Sequence, residues 1–156
     1  MHEPEATTTP TTPAAHARVE RLIRFFESLS PQRLGELGSI YTPNAYFKDP
    51  FNEVRGLAEI RAIFEHMYVA LEKPCFVVTG TVAQDDECFV TWNFEFRMKA
   101  WDRQTLQTIR GTSHLKFTTD GLVDYHRDYW DAAEELYEKL PVVGSLMRWL
   151  KKRANS

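Results

Sequence analysis

At Cys75 the apolar period of the chain changes from that of a helix to that of a strand, and this change limits the fold more than any other feature. Before it, Leu57, Ile60, Ile63, Phe64, Met67, Tyr68 and Leu71 recur every three or four residues, the stripe of one long helix behind Gly56. After it come four alternating runs, CFVVTGTVAQ, ECFVTWNFEFRMKAW, TLQTIRGTSHLKFTT and LVDYHRDYW, divided by the turn signals Asp-Asp, Asp-Arg and Asp-Gly. In the second run Val90, Trp92, Phe94, Phe96 and Met98 fall on one face, and Thr91, Asn93, Glu95 and Arg97 fall on the other. A sheet with one apolar face must cover it, and the helices that precede it are the available cover. Two of these open the chain: Val19, Leu22, Ile23 and Phe26 mark one, and SPQRLGEL starts a shorter one with Ser30 as cap and Pro31 at its first position. The expected class is α+β, a single curved antiparallel sheet packed on N-terminal helices.

The 156 residues, 43% apolar and 13% aromatic, suffice for one domain with a core. Charges of both signs are interspersed and the net charge is −3, so no basic field attracts nucleic acid. Cys75 and Cys88 are too few for a disulfide framework and read as free thiols in a reducing, cytoplasmic setting. Residues 1–16, rich in Thr, Pro and Ala, read as a disordered arm rather than a signal peptide. No stretch reaches the ~18 apolar residues of a membrane span. Residues 17–131 form the expected domain, and 132–156 an added helical extension with a basic end.

The element order, together with YFKDPFNEVRGLAEIRAIFEHM and LKFTTDGLVDYHRDYWD, resembles the nuclear transport factor 2-like superfamily. That superfamily includes ketosteroid isomerases, SnoaL-like polyketide cyclases and limonene epoxide hydrolases. The resemblance implies a cone-shaped roll with an apolar pocket at its open end, often in a homodimer built through the outer sheet face. Ile109, Val123 and Tyr125, standing among charged residues, are consistent with such a surface. The resemblance also implies that Asp49 occupies the position of the isomerase base, that Phe25 and Ser113 replace the isomerase oxyanion donors, and that Trp130 lines the pocket. Asp128 matches the acid/base carboxylate of the cyclases. Because the superfamily contains both enzymes and binding modules, the site and not the fold must decide the function.

Period-two alternation puts Asp124, His126, Asp128 and Trp130 on one face of the last run. The expected catalytic set is therefore Asp49, His126 and Asp128, in which a carboxylate in an apolar cavity exchanges a proton and an imidazole orients it or carries the proton. Phe25, Tyr46, Phe64, Trp92, Phe94, Ser113 and Trp130 are the expected ligand-binding residues. A plainer reading stands beside each role: Asp49 before Pro50 as a turn acceptor, and His126 with Asp128 as a satisfied buried pair. No metal-ligand spacing and no glycine-rich phosphate loop is present, so neither metal nor cofactor is expected. The expected partner is a small hydrophobic molecule, carbonyl-, polyketide- or lipid-like, either turned over by isomerase- or cyclase-type chemistry or only bound by an accessory or dimerisation module. In the tail, Val142, Val143, Leu146, Met147, Trp149 and Leu150 oppose Arg148, Lys151 and Lys152 on a helical wheel. This basic amphipathic helix reads as a flap over the domain, in preference to a membrane-surface anchor or a helix offered to another protein.

Overall fold

The computed structural model describes residues 12–100 and 102–139, together with Gly144 and Lys152. Helix α1 spans Pro13–Glu27, so its first turn falls inside the stretch expected to be an arm. Thr12 starts it by accepting the Ala15 N–H at 3.3 Å, and Pro13 brings a φ already suited to a first turn. The second helix, Pro31–Ser39, is 3₁₀ rather than α and lacks the expected side-chain cap from Ser30. Two glycines within nine residues weaken the α conformation there. Gly56, at φ 111°, turns the chain into α2, Leu57–Ala70, where a side chain would strain the backbone.

The strands are β1 Tyr41–Lys48, β2 Glu53–Arg55, β3 Leu71–Gln84, β4 Glu87–Met98, β5 Asp102–Phe117 and β6 Val123–Tyr129. They form one curved sheet in the order β2-β1-β6-β5-β4-β3. All neighbours are antiparallel except β1 and β6, which run parallel, and the three-residue β2 adds a strand that alternation is too short to reveal. Asp-Asp and Asp-Gly lie at turns, with Asp85 and Gly121 at positive φ, whereas Asp102 and Arg103 already belong to β5. The inner face carries Val90, Trp92 and Phe96 of β4 against Ile109, Ser113 and Leu115 of β5, with α1 and α2 packed over it.

Ile109 and Val123 are buried on this inner side and contribute nothing to the outer face they were expected to mark. Tyr125 does lie outside, stacked on Tyr46, and His114 stacks outside on Phe89 as its parity requires. A register shift between Lys116 and Phe117 breaks the alternation of β6. Val123 therefore stays in the core while Asp124 turns outward to accept the Thr42 hydroxyl at 2.7 Å.

After β6, Asp131 caps α3, Ala132–Glu135. Glu135 is buried and binds Arg110 at 2.7 Å and, at i, i+4, Lys139 at 3.6 Å, which ties the segment to β5. The amphipathic helix expected from Val142 to Leu150 lies outside the described residues, apart from Gly144.

Candidate active site

Strand register places the polar residues of the inner face side by side. Ser113 of β5 pairs with Asp128 of β6, Leu115 pairs with His126, and Phe47 of β1 pairs with His126 from the other side. Across β4, Trp92 lies opposite Gly111, and a Cβ at that glycine would fall within 2.7 Å of three carbons of the indole. Gly111 thus lets the Trp92 ring lie flat over β5 and reach Ser113.

These side chains form one hydrogen-bonded chain. Trp92 Nε1 donates to Ser113 Oγ at 2.8 Å, and Ser113 donates to Asp128 Oδ1 at 2.5 Å. His126 Nε2 lies 2.7 Å from the same Oδ1, while its Nδ1 lies 2.6 Å from the Tyr41 hydroxyl. An indole N–H can only donate, so the Ser113 proton points to Asp128. His126 satisfies both neighbours by donating from Nε2 and accepting the Tyr41 O–H at Nδ1. Burial, and then the charge of Asp128, holds the Tyr41 phenol well above its ordinary pKa and keeps it a donor. The imidazole is fixed further by aromatic packing: Tyr41 stacks on it at 5.9 Å, and Phe47 and Phe26 meet it edge-on at 4.8 and 6.0 Å.

Asp128 Oδ1 therefore takes both hydrogen bonds, and Oδ2 takes none among the described residues. Asp128 stands where three spaces meet, one of them a surface hollow that it shares with Lys48 and Arg127. Behind it is a narrow apolar recess of about 40 Å³ that also touches His126, Ser113 and Phe26. In front is a cavity of about 580 Å³ walled by Phe47, Phe64, Phe76, Trp92, Phe94 and Trp130. A carboxylate with one fixed oxygen and one open oxygen beside an apolar cavity can accept a proton from a bound molecule or return one.

Asp49 reaches the rim of the same cavity, but its carboxylate is engaged locally. Oδ1 accepts the backbone N–H of Phe51 at 2.7 Å and of Asn52 at 2.6 Å, and the Asn52 amide binds both oxygens at 3.0–3.1 Å. This is the turn-capping arrangement of a short acidic residue at a strand end. Of the expected ligand-binding residues, Phe64, Trp92, Phe94 and Trp130 line the cavity and Ser113 the recess. Phe25 and Tyr46 do not. The Phe25 ring lies beneath the Arg33 guanidinium, 5.0 Å from it, and its neighbour Phe26 fills the recess instead. The Tyr46 hydroxyl donates to Glu53 on the outer face, and Phe47 points inward in its place.

Sequence reasoning missed Tyr41 and assigned the recess to the wrong phenylalanine. Both signals were present: Phe26 belongs to the apolar stripe of Val19, Leu22 and Ile23, although Phe25 is the more deeply buried of the two phenylalanines, and Tyr41 shares strand parity with Ala45 and Phe47. Among the described residues no group of His, Cys, Asp or Glu side chains could hold a metal ion.

Among solved structures, a provisionally assigned SnoaL-like polyketide cyclase from Jannaschia sp. CCS1 aligns with a TM-score of 0.69 at 15% identity, covering 81% of this chain and 93% of that one. A protein from Catenulispora acidiphila with a ketosteroid isomerase-like fold, in complex with trimethylamine, aligns with a TM-score of 0.65 at 15% identity over 81% and 92% of the two chains. TsrD from Streptomyces laurentii aligns with a TM-score of 0.65 at 16% identity over 85% and 98%. These likenesses show the fold. No curated protein sequence matches the chain. Residues 22–126 match the SnoaL-like domain, a span that takes in the last part of α1, all of α2 and the sheet as far as His126, and the chain therefore belongs to the SnoaL-like domain family.

Proposed function

We propose that the protein holds a small hydrophobic molecule in the apolar cavity and that Asp128 exchanges a proton with it, in acid/base chemistry of the isomerase or cyclase type. The supporting observation is that Asp128 lines the cavity with Oδ1 fixed by Ser113 and His126 and Oδ2 free of hydrogen bonds among the described residues. In this reading His126 and Tyr41 position the carboxylate, and Asp49 shapes the rim. A positioned base contributes about 10²–10⁴ in rate, so Asp128→Asn should slow the reaction by about 10² or more while the amide still fills the site. The test is α-hydrogen exchange of a panel of hydrophobic ketones in D₂O, followed by NMR. Exchange by the unaltered protein that persists undiminished in Asp128→Asn overturns the role of Asp128.

One observation favours a second reading, a binding module without turnover. Every O–H and N–H of the chain from Trp92 to Tyr41 is already used, which leaves none of them to stabilise a developing oxyanion. If no ketone of the panel exchanges faster than in buffer, this reading takes precedence.

We further propose a homodimer through the outer sheet face, where Phe89 and Tyr129 are exposed large side chains and Tyr46 and Tyr125 stack. Sedimentation at micromolar concentration checks it, with a monomer alone ruling it out. No helix among the described residues is long and apolar enough to cross a membrane. The free thiols Cys75 and Cys88 support a cytoplasmic setting.

A further inference from the structure

The ionisable residues that line the large cavity are Asp49, Glu59, His66 and Asp128, and no lysine or arginine stands among its described residues. The rest of the wall is apolar apart from Asn52 and includes eight aromatic rings, whose faces carry the negative part of the ring quadrupole and attract cations. Floor and wall therefore favour the same sign of charge. An anion would meet the opposite: the donors of Trp92, Ser113, His126 and Tyr41 are all spent within the polar chain. The basic side chains Lys48 and Arg127 line an adjoining surface hollow that shares Asp49, Asp128 and Trp130 with the cavity, and both are engaged there. There Lys48 binds Glu53 at 2.8 Å, and the Arg127 guanidinium lies 4.6 Å from the centroid of the Tyr129 ring.

We propose that the cavity selects a hydrophobic cation, an alkyl- or arylamine or a quaternary ammonium compound, with its charge against Asp128 Oδ2 and the aromatic wall. This rests on the cavity being the ligand site, not on Asp128 performing turnover. It is compatible with an acid/base role, since a protonated amine and a carboxylate can exchange one proton.

The experiment compares benzyltrimethylammonium with its neutral carbon isostere, neopentylbenzene, by titration of the full-length protein. Tryptophan fluorescence is the readout, because Trp92 and Trp130 line the cavity. The two probes match in shape and differ in charge. The unaltered protein should bind the cation at least about ten-fold more tightly, as expected for a desolvated cation–π contact supported by a carboxylate. Asp128→Asn should weaken the cation by about ten-fold and leave the neutral probe within two-fold. Equal or tighter binding of the neutral probe overturns the inference and leaves the cavity reading intact. Binding of neither probe removes the cavity reading as well. A cation affinity unmoved by Asp128→Asn refutes the charge contact, and if that variant does not fold, the comparison of the two probes on the unaltered protein still decides.

Discussion

Replacing Gly111 by alanine adds one methyl group to the middle of β5, and the structure makes that methyl group costly. The added carbon would fall within 2.7 Å of Trp92 Cη2, Cζ2 and Cζ3, all in the benzo ring of the indole. The ring has to move, and overpacking of this kind costs about 1–3 kcal/mol. Movement also breaks the 2.8 Å bond from Trp92 Nε1 to Ser113 and strands a buried donor, which costs about 1–3 kcal/mol more. Alanine returns about 0.5–1 kcal/mol through its better strand conformation. The net loss centres near 3 kcal/mol, or about 6–12 °C in Tm for a domain of this size. Thermal unfolding of Gly111→Ala alone does not separate these effects, so the cycle includes Trp92→Phe, which lacks all three contacted carbons. In that background Gly111→Ala should be neutral or stabilising, giving a large coupling energy between the two sites. The same loss in both backgrounds, or an unchanged Tm with Trp92 present, would refute the reasoning.

Tyr41→Phe removes only a hydroxyl yet leaves His126 Nδ1 without its partner at a buried position, so a loss of about 1–3 kcal/mol is expected in chemical denaturation. Asp49→Asn should keep the fold and any proton-exchange activity, because the amide oxygen can still cap Phe51 and Asn52; loss of exchange in a folded Asp49→Asn protein would return the base role to Asp49. Burial pushes the Cys88 thiol from 9.0 up to about 12, so at high pH the unfolded chain releases that proton first. Stability should then fall as pH rises from about 9 to about 12, and Tyr41, also raised, acts in the same direction. Cys88→Ala should flatten part of this decline in pH-dependent melting, and an unchanged slope would show that the thiol does not contribute.

The sheet was the most legible part of the sequence because alternation encodes a face directly. Trp92, Phe94 and Phe96 had to share one side, and they do. Helix periodicity put Phe26 in the apolar stripe, and Phe26, only partly buried, lines the recess; the resemblance pointed to Phe25, one position and about 100° away on the helix, which is buried in the core instead. Alternation fails where the pairing itself is irregular. The shift near Phe117 sends Asp124 outward although its parity matches that of His126, and no local residue pattern announces such a bulge. The parallel pairing of β1 with β6 is equally silent, since it joins segments some eighty residues apart. That pairing brings Tyr41 to His126, and so this arm of the polar chain could not be read from either segment alone.

The polar chain also has a polarity, because its hydrogens all point one way. From Trp92 through Ser113 on one side, and from Tyr41 through His126 on the other, each donor faces Asp128 Oδ1. The carboxylate is thus a terminus for two converging arms and not a station along a wire through the protein. A hydrogen taken up on Oδ2 could travel inward only if every donor behind it reversed, and Trp92, having no lone pair to offer, cannot reverse. Its open route leads back into the cavity. A hydrogen taken up on Oδ2 should therefore leave on the side of the cavity, where Asp128 also borders a surface hollow, and exchange with D₂O there without any proton passing through the buried chain.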